Sequence, residues 1–220
     1  MICRTSVLQN QYYVRTAQCQ VLYFGVEAMG HSQAEKAASR ERILEAAARQ
    51  ISERGLDSVA VGELMQNAGL TKGAFYGHFE SRDAMIAEAT RRAMRKGQSK
   101  LDPLFSRKKK PSLDDVVDAW LDPAHVQDPT KGCGICTLAG EARYAGLQVQ
   151  QVIAEQFKRN VEQIAQTIGA DETATAQATA ILATIVGAVS MSRAVGDADL
   201  ARQILANTRA FILRPSDAAK

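Results

Sequence analysis

The sequence contains few of the residues from which disulfide frameworks, metal sites and catalytic sites are built. Among its 220 residues are three histidines and four cysteines, the latter at positions 3, 19, 133 and 136. Cysteines so few and so unevenly spread exclude a disulfide-rich scaffold. No glycine-rich phosphate loop and no nucleophile motif is present. These absences argue against an enzyme, and we expect no metal and no cofactor.

Long apolar runs and leader-like segments are also missing. The longest apolar run, residues 180–191, includes Gly187 and Ser190 and is too short to span a bilayer. Arg4 precedes a polar stretch rather than the apolar segment of a signal peptide. We therefore expect a reduced, cytoplasmic protein without a membrane partner.

Aromatic residues make up only 5% of the chain, whereas apolar residues make up 46%, which is enough for a core and excludes a disordered protein. Alanine is abundant, which favours helices packed closely through small side chains. From residue 38 onward apolar residues recur at helical spacing, and no segment alternates with the period of a strand. The sequence predicts an all-α fold. Its net charge of +3 permits binding to nucleic acid without proving it.

Residues 1–30 differ from the rest because they carry no helical period. Met29 then begins a polar stretch typical of the N-terminal arm of a soluble protein. We expect translation to start at Met29, and the preceding residues to be a start-site artefact or a disordered extension. An additional regulatory arm is the alternative.

Three consecutive helices are predicted in the first third of the chain. The first is expected to end at Gly55 in a left-handed cap, and a short second helix begins near Val61. After a turn at 68–70, the third helix, Lys72 to Phe79, mixes aromatic rings with small and basic residues. Two short helices around a glycine-containing turn, braced by a longer helix, predict a helix-turn-helix. Further helices are predicted at 81–97, beginning at a Ser81 cap, and at 113–121, 135–146, 147–168, 172–195 and 199–213.

Residues 39–90 resemble the DNA-binding domain of the TetR family of bacterial repressors. The best match is the segment 68–82, Ala-Gly-Leu-Thr-Lys-Gly-Ala-Phe-Tyr-Gly-His-Phe-Glu-Ser-Arg. Farther along, Gly-Cys at 132–133 followed by Thr-Leu-Ala-Gly-Glu at 137–141 is similar to one subgroup. The resemblance implies a helix-turn-helix DNA-binding domain at 31–97, followed by a helical domain at 98–220 that binds an effector and dimerises.

The resemblance also implies which residues contact DNA. Thr71 would cap the third helix or reach a phosphate, and Lys72 could read guanine beside two small residues that allow close approach. Tyr76 and His78 match positions that hold phosphate oxygens, and Arg82 stands where the family usually has lysine. The predicted DNA-contacting set is Thr71, Lys72, Gly73, Ala74, Tyr76, His78 and Arg82.

Some residues in this region have other interpretations. Phe75 and Phe79 lie four apart on one helix face and are expected in the core. His78 could instead be a structural side chain beside the aromatic rings. Val59 and Ala60 stand where the family often has hydroxyl residues, so a helix cap and a phosphate contact are not expected there.

The pair Cys133 and Cys136 leaves several interpretations open. Two cysteines separated by two residues can pack as small apolar side chains, sense oxidants or electrophiles, or bind a metal with the nearby His125. A dithiol enzyme would need a βαβ context, which the sequence lacks. Packing is the favoured interpretation, and a thiol-sensing repressor is the alternative.

The helix predicted at 172–195 is small and apolar on more than one side, so it should be buried on more than one side. Together with the helix at 147–168 it is expected to form a four-helix homodimer interface, with burial in a monomer core as the alternative. Four residues are candidates to line an effector pocket or to belong to the core: Trp120, Tyr144, Phe157 and Met191.

The predicted function is that of a repressor. Two recognition helices of a homodimer would enter successive major grooves of a palindromic operator, roughly 34–36 Å apart. A small-molecule effector would favour a dimer of different spacing and release the DNA. The other candidates are a metal- or cofactor-binding helical enzyme and a helical interaction module that no longer binds DNA.

Overall fold

The computed structural model describes residues 33–99 and 101–214, so the expectations for residues 1–30 lie outside the described residues. The chain divides into an N-terminal unit that ends at Glu41 and a compact unit from Arg42 onward. The described residues are helical with no strand among them, which confirms the predicted all-α fold. The predicted boundary between domains at residue 97 stays a prediction.

The first helices correspond to the predicted helix-turn-helix. Helix α1 spans Gln33–Arg54, α2 spans Val61–Asn67, and α3 spans Arg82–Gln98. Between α2 and α3 lies a 3₁₀ helix, Lys72–Gly77. The helix predicted from about Lys72 to Phe79 is therefore present, but it takes the 3₁₀ form and ends at Gly77, followed by a hydrogen bond from the N–H of Phe79 to Phe75 O at 3.0 Å.

Seven further α-helices follow: α4 Asp102–Phe105, α5 Leu113–Trp120, α6 Pro123–Gln127, α7 Gly134–Leu138, α8 Leu147–Ile168, α9 Glu172–Ala194 and α10 Ala198–Ile212. Three short 3₁₀ helices span Leu56–Ser58, Pro129–Lys131 and Ala142–Tyr144. The helix predicted at 135–146 is thus split into α7 and a 3₁₀ turn. Residues 122–134, for which no helix was predicted, contain α6 and another 3₁₀ turn.

Helix ends follow the capping chemistry of the sequence. Gly55 ends α1 with a positive φ of 84°, as predicted for a glycine stop, although its ψ of 179° is extended rather than left-handed helical. The Ser81 hydroxyl accepts a hydrogen bond from the backbone N–H of Ala84 at 3.0 Å, which confirms the predicted cap of α3. Ser112 and Asp115 form a capping box at the start of α5.

The C-terminal helices pack around α8. This helix contacts α3 on one side and α9 on another, and α9 also packs on α10. The apolar stripe of α8, which includes Val152, Val161 and Ile164, is buried within the chain. These three side chains are therefore not available to a second copy, and a part for α8 in the homodimer interface stays a prediction.

Helix α9 is, by length and composition, apolar enough to cross a membrane, with a mean hydropathy of 1.5. The apolar run 180–191 lies inside this longer helix. Leu182, Ile185 and Val189 of α9 are buried in the protein core. A core helix meets the same criteria of length and composition, so this finding is weak evidence for a membrane span.

Polar side chains also occupy the interior. Gln156 donates hydrogen bonds to Gln98 at 3.0 Å and to Asn160 at 2.8 Å. Gln98 in turn donates to Gln163 and Asp102. These bonds satisfy buried amides and tie the end of α3 to the middle of α8.

Candidate nucleic-acid interface

The turn between α2 and the 3₁₀ helix is built around Gly69. Its φ is 72°, a conformation that residues with a Cβ rarely adopt. The N–H of Leu70 donates to Met65 O at 2.8 Å, and that of Gly69 donates to Gln66 O at 2.9 Å. These bonds end α2 and reverse the chain so that Lys72 starts the next helix.

The inner side of the 3₁₀ helix is anchored by two phenylalanines. Phe75 is 3% exposed and Phe79 is 5% exposed, which confirms that both belong to the core. Their rings stack with centroids 5.4 Å apart. Because this pair fills the inner side, Tyr76 and Gly77 between them face outward.

The outer side presents small residues with one cation and one phenol. Thr71, Lys72, Gly73 and Tyr76 are exposed, and Ala74 is half-buried. A Cβ added at Gly73 would meet no atom within 4 Å, so a ligand could approach the backbone closely there. Such a surface can bring the chain against a phosphate backbone and offer one side chain to a base edge.

Thr71 precedes the 3₁₀ helix, but its side chain makes no capping hydrogen bond. The predicted capping role of Thr71 is therefore wrong. A six-residue 3₁₀ helix has few N–H groups to satisfy, and the extended backbone of Thr71 leads directly into it. Contact with a phosphate remains a prediction for this hydroxyl.

The last two predicted contacts lie beyond the 3₁₀ helix. His78 is half-buried, and its ring centroid lies 6.4 Å from that of Phe79. Arg82 donates from Nη2 to Val59 O at 3.3 Å, and its Nη1 lies 4.0 Å from Asp83 Oδ1. Arg82 thus fastens the start of α3 to Val59, two residues before α2, a role that the motif did not indicate.

The four pocket candidates lie in different surroundings. Trp120 is 1% exposed, Phe157 is half-buried, and Tyr144 and Met191 are 78% and 54% exposed. A cavity of about 560 Å³ lies elsewhere, between α6, the end of α9 and the first half of α10. It has a size typical of small-molecule sites, and none of the four lines it. Their role as pocket residues stays a prediction.

One wall of that cavity carries Arg193. Its Nε donates to Val126 O at 2.9 Å, and its Nη1 donates to Thr137 Oγ1 at 3.1 Å. Burial lowers the pKa of Arg193 from its ordinary value, whereas the nearby Asp128 acts in the opposite sense. The rest of the lining is partly apolar, with residues such as Val126 and Leu205, and partly polar, with Gln127, Asp197 and Arg202.

Cys133 and Cys136 are 4% and 5% exposed at the start of α7. A hydrogen bond with Cys136 lowers the pKa of Cys133, whereas that bond and burial raise the pKa of Cys136. Asn160 Nδ2 lies 3.6 Å from Cys133 Sγ. A sensor thiol at Cys136 should be reachable by oxidants, so its burial favours packing. Within residues 33–99 and 101–214, no group of three or more metal-ligating side chains was found.

Comparison with known proteins adds independent findings. Residues 43–89 match a family model described as bacterial regulatory proteins, tetR family. Residues 111–206 match one described as transcriptional regulator LmrA/YxaF-like, C-terminal domain. The chain is also similar to a crystal structure of a TetR transcriptional regulator from Chloroflexus aurantiacus J-10-FL. That similarity has a TM-score of 0.67 and 22% identity, and covers 83% of this chain and 98% of the other.

Two curated relatives match over shorter segments. The uncharacterized HTH-type transcriptional regulator YdgC of Bacillus subtilis (strain 168) is 44% identical over 50 residues, 23% of this chain and 26% of the relative. The HTH-type transcriptional repressor KstR2 of Mycobacterium tuberculosis (strain ATCC 25618 / H37Rv) is 34% identical over 84 residues, 38% of this chain and 36% of the relative. The chain thus matches about a quarter to a third of the length of these relatives. Its two family-model matches and its fold show that it belongs to the TetR family, whose members are DNA-binding regulators of transcription, typically dimeric, and not enzymes.

Proposed function

We propose that this protein is a cytoplasmic repressor that binds a palindromic operator as a homodimer and leaves it when a small effector binds. The observation that carries the proposal is the outer side of the 3₁₀ helix Lys72–Gly77. A cation and a phenol stand there beside open glycine backbone, while two phenylalanines hold the inner side. Phosphates and a base edge are the groups that such a surface recognises.

Helices α9 and α10 supply the support for a homodimer. One exposed stripe on α9, which runs from Thr173 to Gly187, consists of small residues spaced three or four positions apart, and α10 exposes larger apolar side chains. Leu200 is 43% exposed and Phe211 is 63% exposed. An apolar face of this kind is costly to leave in water, and a second copy of the chain would cover it by symmetry.

The cavity beside Arg193 supports the effector part of the proposal. Its apolar walls would bind the body of a small molecule, and the Arg193 guanidinium offers a fixed donor on one wall. A ligand that binds one arrangement of α6, α9 and α10 better than another would shift the dimer toward that arrangement. Operator affinity would then fall by the difference in ligand affinity.

The test is selection of binding sites from random duplex DNA with the purified protein, followed by fluorescence anisotropy at several salt concentrations. We expect a palindromic consensus, a steep salt dependence and two protomers per site. Salt-dependent binding without sequence preference would contradict the operator, and one protomer per site would contradict the homodimer. No binding to any DNA would favour the interaction-module alternative.

A further inference from the structure

We propose that Glu141 is a positioning residue for DNA binding, which fastens the entrance of the helix-turn-helix to the C-terminal helices. Glu141 Oε2 accepts a hydrogen bond from the backbone N–H of Leu56 at 2.6 Å. The two residues lie 85 positions apart in the chain. A bond between a carboxylate and a backbone N–H is among the stronger hydrogen bonds in proteins. We call this contact the Glu141 latch.

On the helix-turn-helix side, the latch holds Leu56, which lies in the segment between α1 and α2. Leu56 opens the 3₁₀ turn Leu56–Ser58, and Ser58 Oγ donates to Gly55 O at 2.7 Å. A Cβ on Gly55 would lie 2.6 Å from Glu141 Oε2 and closer still to Oε1. Glycine at 55 therefore does more than end α1, because it leaves the space in which the carboxylate sits.

On the C-terminal side, α7 sets the position of Glu141. The N–H of Glu141 donates to Leu138 O at 3.1 Å, directly after the last turn of α7. Helix α7 is held in turn by α9, where Ser190 Oγ donates to Cys136 O and Arg193 Nη1 donates to Thr137 Oγ1. Because these bonds couple α7 to α9, a movement of α9 would carry α7 and the Glu141 carboxylate with it.

A second carboxylate lies at the same junction. Asp83, in the first turn of α3, approaches Gly146, the residue that precedes α8 and offers no side-chain cap. A Cβ on Gly146 would lie 3.2 Å from Asp83 Oδ2. A carboxylate near a helix N-terminus is stabilised by the helix dipole. Glu141 and Asp83 both line a cavity of about 330 Å³ at this junction.

The consequence for DNA binding rests on the proposed homodimer. The free-energy cost of binding a palindrome is lowest when the two recognition elements of the dimer are already held at the spacing of the half-sites. The latch restricts how the helix-turn-helix can turn on the C-terminal helices. Its loss should therefore weaken binding to a full palindrome, whereas binding through one recognition element should be unchanged.

The experiment compares four proteins: the wild type, Glu141→Ala, Glu141→Gln and Glu53→Ala. Each is titrated by anisotropy against the palindrome selected with the wild type, and against the same duplex with one half scrambled. Glu141→Gln keeps an oxygen that can accept from Leu56 but loses the charge. Glu53→Ala removes the same charge from an exposed position near the end of α1 and serves as the matched control.

We expect Glu141→Ala to lose about tenfold in affinity for the palindrome and nothing for the scrambled duplex. Glu141→Gln should lie between the wild type and Glu141→Ala, and the control should match the wild type. Equal losses on both duplexes, or none on either, would overturn the positioning role. If Glu141→Ala does not fold, amide exchange at Leu56 in Glu141→Leu decides, because a leucine fills similar space but cannot accept the hydrogen bond, and unchanged protection there would contradict the latch. If the wild type selects no operator, the proposed function fails, and Leu56 protection still tests the latch.

Discussion

At the scale of single residues, neighbouring side chains on the 3₁₀ helix have different expected uses. Lys72 and Tyr76 are both exposed, but only a long cation can reach a guanine edge in the major groove, whereas a phenol suits a phosphate oxygen. Arg82 combines an internal hydrogen bond to Val59 O with a half-exposed guanidinium. A loss of DNA binding on substitution of Arg82 could therefore come from the lost bond to Val59 O or from a lost contact with DNA, and the two would not be separable.

Separate substitutions of Lys72 and Tyr76 test whether the first contacts a base and the second a phosphate. Lys72→Ala should cost about 1–3 kcal/mol of discrimination at one base pair of each half-site, because a base contact would be lost. Tyr76→Phe should weaken specific and unrelated DNA alike, because a phosphate contact carries no sequence information. Repeating the site selection with each variant measures both effects. Unchanged preference in Lys72→Ala, or full affinity in Tyr76→Phe, would remove that residue from the interface.

At the scale of elements, what the sequence predicts depends on whether the deciding interaction is local. The Ser81 cap, the Gly55 stop and the Phe75–Phe79 pair were correctly predicted because each depends on residues within one or two turns. The 3₁₀ form of Lys72–Gly77 was missed, because a short amphipathic segment has similar side-chain spacing in both helix types. The Glu141–Leu56 bond could not be predicted, because nothing local relates residues 85 positions apart.

Helix α10 is joined to α5 by a surface ion pair. Arg209 donates from Nε to Asp118 Oδ1 at 2.5 Å and from Nη2 to Oδ2 at 3.2 Å. This hydrogen bonding lowers the pKa of Asp118 from its ordinary value of 3.8. The pair therefore stabilises the fold above that value, and its contribution disappears as the pH falls through the lower pKa of the folded protein.

Asp118→Asn should thus destabilise the protein at neutral pH by at most about 1 kcal/mol, because both side chains are about half exposed and solvent screens them. The difference in unfolding free energy between wild type and variant should begin to shrink as the pH falls toward 3.8, the ordinary pKa of the group, and should vanish as the pH falls through the lower pKa of the folded protein. Urea unfolding at pH 7 and at acid pH measures it, with Glu162→Gln, an exposed site on α8, as control. A difference that persists in acid would show that the pair is not its source.

At the scale of the whole molecule, the long helices α8 and α9 differ in whether the rest of the chain covers their apolar faces. The sequence gives both α8 and α9 apolar stripes, and only the fold reveals that the stripe of α8 is buried among neighbours. Helix α9 buries one side, whereas residues on its other side remain exposed. Sequence alone could not separate these cases, because an apolar face has the same pattern whether its partner is the same chain or another copy.

The exposed stripe of α9 tests the proposed homodimer without disturbing the monomer. Its members recur at spacings of three and four: Thr173, Ala176, Ala180, Ala183 and Gly187. A Cβ on Gly187 would meet no atom within 4 Å, so Gly187→Arg fits the single chain.

If a second copy packs on this stripe, Gly187→Arg and Ala183→Glu should place an unpaired charge in that interface. Both variants should sediment as monomers, and operator affinity should fall about a hundredfold or more, because one recognition element must bind alone. Ala154→Glu, exposed on α8 outside the stripe, should remain dimeric with full affinity. Intact dimers in both stripe variants would remove α9 from the interface.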